Sequence, residues 1–124
     1  MKRAFSLVEV LAAVAIIGII TFLAIPNIIR IKSDGEQSLA ISRAEALNMA
    51  MASYLQAKGT ATATNQWASL TTDSDKYSAV APYVAFAPPY ANYMPSGYTV
   101  SFTTLTSKVT LATTNSGTSV GISY

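Results

Sequence analysis

Between Arg3 and Arg30 the chain carries a single charge, the carboxylate of Glu9, set in an otherwise apolar run from Phe5 to Ile29. An acid at the centre of a membrane helix costs about 2.5–3.5 kcal/mol on insertion scales, so such a group marks a function and implies a partner. No basic side chain in the run can supply it. A cation would appear at Phe5 if the chain were cut after Ala4, because the cut exposes an α-amino group. A carboxylate and an amine attract more strongly in low dielectric than in water, and pairing them, within one chain or between two, offsets the cost of burying each. The alternative is a glutamate that reaches out to the membrane surface from near the end of its helix.

Elements able to hold such a pair must come from a short chain. At 124 residues there is room for one small domain once the apolar segment is set aside, and none for a large catalytic cleft. The absence of Cys and His removes disulfide frameworks, thiol nucleophiles, Cys/His zinc sites and histidine acid–base chemistry. The formal charge of +2 rests on Lys2 and Arg3, and without them six bases balance six acids. No basic patch argues for direct contact with nucleic acid. Phosphate-cradling glycine loops, nucleophile elbows and paired-acid constellations do not stand out either, so an enzyme is not expected.

Val10 to Ile29 is a run of twenty residues, which spans roughly 30 Å as a helix, the thickness of a bilayer core. A secretory signal peptide would share the basic start, yet its apolar region would be shorter and a small-x-small cleavage site would follow. The segment is therefore expected to cross a membrane and stay there. Lys2 and Arg3 favour a cytoplasmic N-terminus, a bias blunted by Arg30 and Lys32 on the far side. Pro26 lacks an amide hydrogen and disfavours helical geometry at Ile25, which predicts a kink or local unwinding, with Gly18 and Thr21 weakening the stretch before it. A kink merely tolerated by a membrane helix is the plainer alternative.

Met1 to Ala4, followed by Phe5-Ser6-Leu7-Val8-Glu9-Val10-Leu11, resembles the class III signal of type IV pilins and type II secretion pseudopilins. The resemblance implies a leader of residues 1–4, removed by a prepilin peptidase between Ala4 and Phe5, and methylation of the new amine on Phe5. It makes Glu9 the fifth residue of the mature chain and gives it the role of registering one subunit against the next. Gly18 and Pro26 match the family's small residue and helix-bending proline, between which helicity can be lost in filaments. Ala4 stands where the family usually has Gly. The strong part of the resemblance is the first thirty residues or so.

Beyond Pro26 the helix is expected to resume. Ala40, Ala44, Leu47, Met51, Tyr54 and Lys58 recur at steps of four and three, the period of one helix face. Gly59 follows as a C-terminal cap, with Lys58 placed to meet the helix dipole. The spacing thus predicts a helix whose membrane half covers residues 5–29 and whose amphipathic half covers 30–59, followed by a head over residues 60–124. Thr60 to Asn65 reads as a surface loop, Trp67 and Leu70 as anchors, and Ser78 to Phe86 as a short helix or turn. Alternating side chains over residues 98–103, 108–113 and 119–124 predict three antiparallel strands, with turns at Ser96-Gly97, Thr106-Ser107 and 115–117. The fold class is α+β, with a small sheet packed on the helix.

Two features of the head admit a binding role. Tyr83, Tyr90 and Tyr93 lie among prolines, where they either contact sugars, a secreted substrate or another subunit, or simply cover the sheet and helix. Asp73 and Asp75 are oxygen donors of the kind calcium takes, and the resemblance implies such a loop in major pseudopilins; a solvated pair of acids is the plainer reading. The resemblance implies a subunit held in a bacterial inner membrane, head on the periplasmic side, and then built into a filament. Its partners would be other pilin-like subunits, the peptidase, an inner-membrane assembly platform and, before assembly, lipid. A short head without a Cys pair leans toward a secretion pseudopilin. A minor pilin of an adhesion, motility or DNA-uptake pilus is the near alternative, and a monomeric membrane-anchored binding module the alternative of another class.

Overall fold

A computed structural model describes residues 4–115 and 117–124. Residues 1–3 of the expected leader 1–4, with their basic pair, and Ser116 of the expected 115–117 turn lie outside the described residues. Helix α1 runs from Leu7 to Lys58, 52 residues, with Pro26 inside it. The chain divides into two compact units, one ending at Gly35 and the other covering Glu36–Tyr124. The division falls within α1 and groups its residues 36–58 with the head, whose core they help to form.

In the first unit the large apolar side chains of α1 are exposed on every side, from Leu7 to Ile31. Among the described residues α1 contains the one stretch long and apolar enough to cross a membrane. In the second unit Ala40, Ala44, Leu47, Ala50, Met51 and Tyr54 are buried as a single stripe. All the expected stripe positions are buried except Lys58, whose ammonium stays outside over the Tyr54 ring, 5.7 Å from its centroid. Burying that amine would cost far more than its packing could return. Gly59 ends the helix with φ 80° and ψ 149°, a conformation reserved for glycine.

Helix α2, Thr60–Ser69, occupies the place where a loop was expected. Threonine has a poor helix propensity, but Ala63 and Trp67 fall four apart on one face and both are buried. Trp67 packs edge-on against Phe102 at 5.7 Å and tilted against Tyr54 at 6.1 Å, and such tertiary burial outweighs weak local preference. Helix α3, Asp73–Val80, starts earlier than the short helix expected at Ser78. Thr72 caps it, its hydroxyl accepting from the Asp75 amide at 3.1 Å and donating to the Asp75 carboxylate at 2.7 Å. A 3-10 turn over Ala81–Tyr83 and the short helix α4, Tyr90–Tyr93, follow.

The sheet is an antiparallel meander of β1 (Tyr98–Ser101), β2 (Thr110–Asn115) and β3 (Thr118–Ile122), in that spatial order. Val100 faces Leu111, and Leu111 faces Ile122; these lie on the core side, whereas the row Thr99, Ala112 and Gly121 lies on the other face. β1 and β3 are shorter than the alternation predicts, and β2 keeps its length but starts two residues later. β1 stops at Ser101 and the Phe102 amide instead donates to the Asp73 carboxylate at 2.8 Å. Phe102, Leu105 and Val109, on the connection to β2, turn into the core.

Candidate functional site

Ala4, Phe5 and Ser6 precede the helix in irregular backbone, and Phe5 is 86% exposed. The Ala4–Phe5 bond therefore lies ahead of the first helical turn. Ser6 is the N-cap of α1. Its hydroxyl accepts from the Glu9 amide at 3.2 Å, and its own amide donates to Glu9 Oε2 at 3.2 Å. This is a reciprocal capping box, in which two helix-start amides that would otherwise be unpaired are satisfied together. Both partners suit it, because the helix dipole favours an anion in the first turn.

A search of the sequence for a cation to match Glu9 misses this donor. The signature is nonetheless present in Ser6-Leu7-Val8-Glu9, a serine followed three residues later by a glutamate at the start of an apolar run. The box draws the carboxylate back toward the chain's start, one residue from where a free Phe5 amine would stand. A carboxylate accepts about four hydrogen bonds, so the single bond to Ser6 leaves it able to take a further donor. Phe5, Val10, Ala13 and Val14 line an open apolar hollow beside it.

Gly18 and Pro26 are both helical, and α1 is continuous through them. The expected unwinding between them is not a feature of this conformation. The causes of weakness are present nonetheless. Pro26 leaves the Phe22 carbonyl without its usual amide, and the Thr21 hydroxyl donates to the Ile17 carbonyl at 2.7 Å, a back-bond that competes with the helix ladder.

In the head, the three tyrosines expected at the surface separate. Tyr93 is buried, which corrects its assignment as a contact residue: its hydroxyl donates to the Arg43 carbonyl at 2.9 Å, the Arg43 guanidinium donates to the Tyr93 carbonyl, and the guanidinium lies over the ring, 5.7 Å from its centroid. Tyr90 is half-buried and donates to the Val100 carbonyl at 2.7 Å. Tyr83 stays exposed, its ring edge-on to Tyr54. Burial pushes the phenol pKa up for Tyr54, Tyr77, Tyr90 and Tyr93; the nearby Arg43 charge opposes the rise at Tyr77 and Tyr93. These are fold-holding groups.

Asp73 and Asp75 likewise serve the fold, the first at the Phe102 amide and the second in the cap of α3. Calcium takes six to eight oxygens. Among the described residues no third acid joins Asp73 and Asp75. Asn48 is a further residue that sequence reasoning misses. Its Oδ1 accepts from the Val109 amide at 2.9 Å and its Nδ2 donates to the Tyr124 hydroxyl at 3.2 Å, while that hydroxyl donates to the Val109 carbonyl. A lone asparagine in a helical pattern gives no hint of this.

Residues 1–25 match the family model described as the prokaryotic N-terminal methylation motif. Over 100 residues the chain is 35% identical to the type IV major pilin protein PilA of Myxococcus xanthus (strain DK1622), an overlap that covers 81% of this chain and 37% of the relative. The chain thus spans little more than a third of that relative's length. No solved structure matches it significantly. The chain is thus similar to the methylation motif over its first 25 residues and to part of a type IV major pilin over most of its length.

Proposed function

We propose that this chain is a structural subunit of a type IV pilus. It is made as a membrane-held precursor, cut between Ala4 and Phe5, methylated on the Phe5 amine and built into a helical filament. The observation that carries this reading is the Ser6–Glu9 capping box at the head of an apolar helix exposed on all sides. An anion held at the helix start, beside a bond whose cleavage yields an amine, is what pairing between neighbouring subunits requires. The apolar surface must be covered by lipid before assembly and by other helices after it. The head faces the periplasm in the precursor, and a prepilin peptidase and an inner-membrane platform act on it. The name of the curated relative favours a pilus subunit over the secretion pseudopilin suggested by the short head.

Mass spectrometry of the chain recovered from membranes and from sheared filaments tests this. The expected mature mass begins at methylated Phe5; an intact Met1, or a start beyond Ile29, overturns it. Glu9→Val is expected to leave the chain cleaved and membrane-held while reducing its incorporation into filaments at least ten-fold. Normal incorporation of that variant removes the pairing role.

A further inference from the structure

The two edges of the sheet are finished differently. In an antiparallel sheet the N–H and C=O of one residue point to the same neighbouring strand, and successive residues point to opposite neighbours. The Thr114 amide donates to the Gly97 carbonyl at 2.8 Å, so in the register that sets Tyr98 against Thr113 the groups of Tyr98 and Val100 point away from β2. The chain uses them itself: the Tyr98 amide donates to the Pro95 carbonyl at 3.1 Å, and the Val100 carbonyl accepts from the Tyr90 hydroxyl at 2.7 Å. By the same alternation Leu111 and Thr113 turn toward β3, where they face Ile122 and Val120. Ser119 and Gly121 are left pointing out of the sheet at the β3 edge, and among the described residues no backbone group outside the sheet bonds to them. The strand, Thr-Ser-Val-Gly-Ile, has no charge and no proline to guard that edge. Val120, on the core side of the sheet, is 53% exposed.

The same strand from a second copy fits this edge. Two β3 strands running antiparallel about a two-fold axis at Val120 overlap over their whole length, with Ser119 opposite Gly121 of the second copy and Val120 opposite Val120. Ser119 and Gly121 then form the hydrogen-bonded pairs, so the free groups of both edges satisfy one another. Val120 takes the position between them, where opposed Cα atoms stand about 4.5 Å apart and side chains come closest. A shift of one residue would instead set the free groups against residues whose own groups are spent on β2.

We propose that β3 strands of two copies pair in this register and join their sheets into one. A two-fold contact closes on itself, whereas a helical filament is extended by a heterologous one; this pairing therefore links copies in different filaments. Strands of five residues bury far less than the roughly 1,200–2,000 Å² of a stable complex. Single heads accordingly stay apart, and filaments, which display many such edges, add the contacts up into bundles. The bundling rests on the filament reading, and the strand pairing stands apart from it.

The chain has no cysteine, so one introduced thiol reports on one place. Val120→Cys and Thr118→Cys, on the same face of β3, are expressed in the full chain and mildly oxidised. Val120→Cys is expected to give several-fold more disulfide dimer than Thr118→Cys. The Cα atoms at 120 meet at a distance a disulfide spans, whereas those at 118 stand roughly 14 Å apart along the strands. Bundling of sheared filaments, read by low-speed sedimentation, should fall several-fold in Val120→Lys and in Val120→Glu, because like charges directly opposed repel. Filament length and the level of mature subunit should not change, and mixing filaments of the two charge variants should restore bundling. Equal cross-linking at 118 and 120, a Val120→Cys cross-link to another protein in place of the dimer, parent filaments that stay single, or charge variants that bundle as the parent does would each overturn the contact and leave the filament reading standing. A Val120→Cys dimer in membranes that yield no filaments overturns the filament reading and leaves the strand pairing.

Discussion

At the scale of single residues, polar side chains at three points each hold two parts of the chain at once. Ser6 and Glu9 exchange bonds at the start of α1. Replacing a capping serine by alanine costs about 1 kcal/mol. Ser6→Ala in detergent micelles is thus expected to speed amide exchange at Leu7–Val10 by roughly five-fold, with exchange near Ala44 unchanged; equal protection at both places in the variant would show that the cap is idle. Asn48 is the second point. Asn48→Ala leaves the Val109 amide without its acceptor, and an unpaired buried donor costs about 1–3 kcal/mol. Thermal unfolding followed by Trp67 fluorescence should show that loss, with Tyr124→Phe milder because the Val109 amide keeps its partner. The third is Arg43, which with Tyr93 ties the aromatic segment to α1.

At the scale of elements, the periodic parts of the fold are the parts legible in the sequence. The stripe from Ala40 to Tyr54 was legible because a helix packed on one side repeats every three or four residues, and the three strands because alternation marks a sheet with one wet face. Helix α2 was not legible, since Thr-Ala repeats carry no preference that survives without Trp67 and Ala63 finding the core. Nor was the end of β1 at Ser101, which depends on a carboxylate 29 positions away in sequence. The tyrosines were ambiguous for a related reason: the residue type that suits an exposed contact also suits a buried ring with a bonded hydroxyl, and only the neighbours of Tyr93 decide. Gly59 is a case where local chemistry and structure agree. With φ at 80° and ψ at 149°, Gly59→Ala is expected to cost about 1–3 kcal/mol although no atom blocks a Cβ there. A denaturant midpoint equal to the parent's would refute the backbone argument, since loss of packing offers no other route to destabilisation.

At the scale of the molecule, the head's response to pH is set by the groups it buries. Among the described residues the buried core contains no charged side chain and the chain has no histidine, so no described core group changes charge near neutrality. The groups with shifted titration are Tyr54, Tyr77, Tyr90 and Tyr93, all raised, chiefly by burial. An acid that ionises less readily when folded gives stability that is whole below its unfolded pKa, about 10 for tyrosine. That stability is lost as pH climbs through the folded value, because the unfolded chain releases the proton first. The head should therefore hold a level stability from about pH 6 to pH 9 and weaken above about pH 10. Because these rings touch one another in two groups, Tyr54 with Tyr83 and Trp67, and Tyr77 with Tyr90 and Tyr93, ionising one should loosen its neighbours. Phenolate absorbance from the buried tyrosines is thus expected to rise in one cooperative step that coincides with loss of the near-ultraviolet dichroism. A gradual rise centred near pH 10 while that dichroism persists would mean that these rings reach solvent without unfolding, and that the aromatic groups do not close the head.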